Sequence, residues 1–139
     1  MTAKHHHTDN TDTLIREIDS MHSASAESRA ALLERLLPSR TDSSVLLVAC
    51  SPADYSAGAI ARAVEDCDAH LLSLSVTSDT TAGGQAVVFL RVSHRDPSSA
   101  ARSLERYGYE VIAMRSDSSV SSDDEARLRA LEVLHYLSV

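Results

Sequence analysis

The residues best placed for chemistry are Asp54, Tyr55, Ser56 and Gly58, in a turn that leads from an apolar run into a helical pattern. Asp54 and Ser56 carry side-chain oxygens that suit a helix start. Tyr55 adds an aromatic surface and a hydroxyl. Gly58 falls in the first helical turn, where backbone N–H groups lack helical partners and the dipole favours an anion such as a carboxylate. Asp54 would repel that anion unless it holds an amino group on the same ligand. The plainer reading is that Asp54 and Ser56 only cap the helix, while Gly58 permits close packing.

Other reactive residues form no pattern. His70, His94 and His135 lie far apart in sequence from one another, and Cys50 and Cys67 are not spaced as a zinc motif. Neither a nucleophile elbow nor a phosphate-binding loop is present. We therefore expect no metal, no cofactor and no enzymatic activity. The two cysteines read as buried free thiols in a reducing compartment. Tyr107 and Tyr109 flank Gly108 and read as packing residues at a helix-to-strand corner.

The totals set the frame for these residues. One domain with its own core fits in 139 residues, of which 43% are hydrophobic. With four Tyr, one Phe and no Trp, that core must be aliphatic. The 20 acidic and 13 basic residues leave a formal charge of −7. An acidic balance argues against nucleic acid as a partner, which calls for a basic footprint. No apolar run approaches the roughly 20 residues that span a bilayer, and the polar start of the chain, with His5, His6 and His7, has no signal-peptide core. These features lead us to expect a cytoplasmic protein that does not meet a membrane.

Stepwise patterns give the elements. Residues 1–11 are polar and read as a disordered tail. Residues 12–38 read as a helical segment, either a hairpin or one interrupted helix. Leu14, Ile15 and Ile18 share one face there, Ala30, Leu33 and Leu37 share another, and Pro38 is the stop. Val45 to Cys50 is apolar on both faces, as in a central strand. A helix follows from Ser56 to Asp66. Leu72, Leu74 and Val76 alternate with small polar residues, which is the period of a strand. Val88, Leu90 and Val92 repeat that period after Gly83 and Gly84. Asp96-Pro97 opens a second helix and Tyr107-Gly108 closes it. Tyr109 to Met114 forms the fourth strand. Residues 123–139 carry a stripe of Leu128, Leu131, Leu134 and Leu137 and read as a closing helix.

The order over 45–115 is β-α-β-β-α-β. Two right-handed crossovers of this kind make an α+β, ferredoxin-like sandwich, with a four-stranded antiparallel sheet in the order 4-1-3-2 and both helices on one face. The terminal helices or a second subunit are then the available covers for the bare face.

The stretch from Asp54 to Val64 resembles the first loop and helix of ACT domains, regulatory modules of this topology. Ala57 stands where that family often has proline. Asp54-Tyr55-Ser56 and Glu105-Arg106-Tyr107-Gly108-Tyr109 are similar to words in the ACT-like C-terminal region of bacterial proteins with a CBS pair. The close, Leu134 to Val139, is similar too. No CBS pair precedes the likeness here. The resemblance implies a homodimer that binds an amino acid or similar effector near the first loop, with strand-two residues such as Ser73 and Ser75 of a neighbour in reach. The alternative expectation is a protein-interaction or assembly module without a small ligand, its terminal helices contacting a partner.

Overall fold

The computed structural model describes residues 2–38 and 40–116. The expected helix at 123–139, and with it His135, lies outside the described residues. The chain divides after residue 39 into two compact units.

The first unit is helical. α1 spans Thr2–Asp19, a short 3₁₀ turn covers Met21–Ser23, and α2 spans Ala26–Leu36. Ser25 caps α2, its hydroxyl accepting from the Ser28 N–H at 3.1 Å. An Arg35–Glu17 ion pair ties α2 to α1, so the segment is a hairpin. Two expectations need correction. The polar residues from Thr2 onward are helical and not a disordered tail. A helix already formed at Leu14–Asp19 gains a hydrogen bond for each residue added, and ordinary polar residues cost at most about 0.7 kcal/mol each against alanine. The buried position of α2 is Leu32, 6% exposed, whereas Leu33 is 57% exposed. The Leu32-Leu33 and Leu36-Leu37 pairs offer two overlapping stripes, and the wrong one was the more regular in sequence.

The second unit holds the sheet. Its elements are β1 (Ser44–Cys50), α3 (Ala57–Glu65), β2 (Leu71–Thr80), β3 (Ala86–Val92), α4 (Ser98–Arg106) and β4 (Glu110–Ser116). All pairings are antiparallel, and the strand order is β2-β3-β1-β4, which counted from the β4 edge reads 4-1-3-2. Alternation along the strands sends Leu46, Val48, Val88, Leu90 and Met114 to one face. There they form a closed core with Ile60 and Val64 of α3 and Ala100 and Leu104 of α4. Small residues let the two helices touch. The Ser103 hydroxyl donates to the Ala63 carbonyl at 2.5 Å, inside the core.

Local chemistry sets the ends. Ser56 caps α3, accepting from the Ala59 N–H at 3.2 Å. Asp96 accepts from the Ser98 N–H at 3.0 Å and from its hydroxyl at 2.6 Å, one residue ahead of Pro97 at the α4 start. Gly108 takes φ +92° after α4. That left-handed residue allows Tyr109 N–H to reach the Leu104 carbonyl at 3.0 Å and Gly108 N–H to reach that of Glu105 at 2.9 Å, a paired helix stop. β1 and β4 slip register between Leu47 and Val48, opposite Ile112.

The other sheet face carries Val45, Leu47 and Phe89, all half-buried, in line with Arg91 and Ser75.

Candidate functional site

The β1–α3 turn does several separate jobs. The Asp54 carboxylate accepts from the Ser51 hydroxyl at 2.8 Å, and the Asp54 N–H donates to the Ser51 carbonyl at 3.0 Å. This local ring holds Asp54 at the surface. Tyr55 packs against the core. Ser56 is the helix cap, so its hydroxyl is occupied. Gly58 has ordinary helical backbone, and a Cβ there would meet only Arg62 Nη1 at 3.5 Å and Ser56 Oγ at 4.0 Å. Of the four residues singled out in sequence, Asp54 borders a cavity at the end of β1. Ser73 and Ser75 sit on the edge strand β2, in register with Arg91 and Phe89 on the face away from α3 and α4.

That cavity, of about 490 Å³, opens where β1 ends and β4 begins. Cys50, Ser51, Asp54, Gln85, Tyr109 and Glu110 supply its chemistry, and the Tyr107–Gly108 corner completes the rim. Strand pairing assembles it. Cys50 faces Ala86, which brings up Gln85, and Ala49 faces Glu110. These contacts join residues some 35 to 60 positions apart, beyond any local pattern. The Glu105–Tyr109 stretch, which the sequence offers only as a likeness and a corner, is the signal that pointed here.

The electrostatics of the cavity run one way. Burial raises the Cys50 thiol pKa above its ordinary value, and the Asp54 charge adds to the shift. The Tyr109 phenol is raised first by burial, then by Cys50 and Asp54; the Ser56 backbone and the Arg62 guanidinium oppose this. Both groups stay protonated, and neither is poised as a nucleophile or base near neutral pH. Tyr107 donates its hydroxyl to the Asp66 carboxylate, the main cause of its own raised pKa.

The other candidates are not assembled. Cys50 and Cys67 are free thiols. His94 Nε2 lies 3.3 Å from the Asp68 carbonyl, and the His70 N–H donates to Ser93 Oγ at 2.8 Å. Among the described residues no group of three His, Cys, Asp or Glu could hold a metal ion, and no helix is long and apolar enough to cross a membrane.

No protein-family model, no curated protein and no solved structure matches the chain. The likeness to ACT-like domains therefore rests on the residues quoted for it.

Proposed function

We propose that the chain is a non-catalytic, ferredoxin-like regulatory domain of the ACT-like kind, which binds a small metabolite such as an amino acid and works as a cytoplasmic homodimer. The observation that carries the reading is the cavity beside Asp54. Its volume lies within the roughly 300–1,000 Å³ of small-molecule sites, and the turn that resembles the family's ligand loop forms one of its walls. Its titratable groups favour holding a ligand over attacking one. Binding would act by favouring one packing of the subunits over another.

Thermal unfolding of the full chain against amino acids, amines and nucleotides tests this. A ligand at one hundred times its dissociation constant adds about 2.7 kcal/mol of stability, which is a clear rise in midpoint. No rise with any compound would end the sensing reading, and light scattering of a monomer at high concentration would end the dimer.

One observation favours a second reading, an assembly module. Ile15 is 56% exposed, and Leu33 and Leu36 are exposed with it on the helical unit. If Leu33→Ser and Leu36→Ser change the oligomeric state while no compound moves the midpoint, this second reading replaces the first.

A further inference from the structure

We propose that the cavity at the end of β1 takes an organic cation, an alkylammonium or short diamine, and not a ligand anchored by a carboxylate. This deepens the binding reading above and rests on it. Among the described residues, the charged side chains in the cavity wall are Asp54 and Glu110, with no Lys, Arg or His beside them. The Arg62 guanidinium, felt at Tyr107 and Tyr109, stands outside that wall. A ligand carboxylate would therefore meet two like charges in that wall. An ammonium would meet two carboxylates, and charge-assisted hydrogen bonds of this kind are about twice as strong as neutral ones.

A second observation comes from inside the cavity. Cys50 is 6% exposed, and its thiol makes no hydrogen bond among the described residues. It presents a soft, weakly polar surface where the wall meets the core. The adjoining Tyr109 ring is 9% exposed. An aliphatic stem suits that part of the wall, with the ammonium directed to Asp54 or Glu110. Ser51 and Gln85 add neutral oxygens, which accept from an ammonium as readily as from any donor. The chain's net charge of −7 also favours the approach of a cation.

The probes are 1,4-diaminobutane, butylamine, glycine and acetate, added to the full chain at low ionic strength, with potassium chloride matched for charge. The readouts are the thermal midpoint and titration calorimetry. The diamine raises the midpoint most and butylamine less, while acetate does nothing. Asp54→Asn and Glu110→Gln each weaken the diamine by about tenfold, the loss of one charged contact. Both positions are exposed, so the variants fold. If acetate or glycine binds and the amines do not, the cavity remains a site and the cation proposal falls. If no probe and no compound of the wider panel binds, both fall together. A diamine effect that survives the double variant, or that potassium chloride reproduces, places the cation elsewhere and overturns the proposal.

Discussion

The helical unit and the sheet unit bury their leucines to very different degrees. In the sheet unit Leu46, Leu90 and Leu104 are fully enclosed, with Ile60, Val64 and Val88 around them. In the helical unit Leu32 is the buried residue of α2, while Ile15, Leu33 and Leu36 lie exposed. Both units have apolar periodicity in sequence. The difference lies in what the period meets. A strand pattern is matched across the sheet by a neighbour in register, whereas a helix stripe stays bare until another surface covers it. The cavity beside Asp54 lies in the unit whose strand pairing fixes its walls.

The largest expected break in this contrast comes from paired substitutions. Leu90→Ala removes a fully buried side chain and should cost about 2–5 kcal/mol. Leu33→Ala, on the exposed face, should stay within about 0.5 kcal/mol. Chemical denaturation read on tertiary signal compares them, and equal losses would mean that Leu33 is covered in solution.

Next in size is Gly108→Ala. Open space surrounds a Cβ there, so the cost is backbone conformation alone, about 1–2 kcal/mol. A neutral result would mean that the helix stop relaxes without the left-handed residue.

Gly58→Ala should act in the opposite direction. Its backbone is helical and its nearest neighbours leave room, so alanine gains about 0.5–1 kcal/mol. A loss would show that Gly58 is held for close approach, as the sequence first suggested.

The smallest effect is in pH. Cys50 and Tyr109 are both acids that bind their protons more tightly when folded, relative to ordinary values of 9.0 and 10.0. Their contribution is whole below the unfolded pKa and is eroded as pH rises toward the folded one. Stability should therefore decline above about pH 9, and Cys50→Val should flatten the start of that decline. An unchanged profile in the variant would remove Cys50 from the account.

Much of the fold was legible because several local signals agreed. Ser56 at the cap of α3, Gly108 after α4, and the period-two runs around Leu74 and Leu90 place the sheet unit's elements within a few residues of where they stand. The helical unit was legible only as two helices. Adjacent leucines left the phase of α2 undetermined, and a polar run from Thr2 gave no sign that the helix would continue through it. The site was half legible. Asp54 could be found because a turn of that composition stands out. Gln85 and Glu110 could not, since only the pairing of β1 with β3 and with β4 carries them to Asp54. Gly58, singled out for its place at a helix start, has a backbone conformation that any residue adopts and lies outside the wall of the cavity beside Asp54.

The fastenings between α3 and α4 have a mechanical consequence. Ser103 bonds to the Ala63 carbonyl in mid-helix, and Tyr107 bonds to Asp66 where both helices end. The two helices are thus tied to each other at two points as well as packed on the sheet. Tyr107 is also part of the cavity rim. A load on that rim therefore passes through Tyr107 and Asp66 into α3 as well as α4.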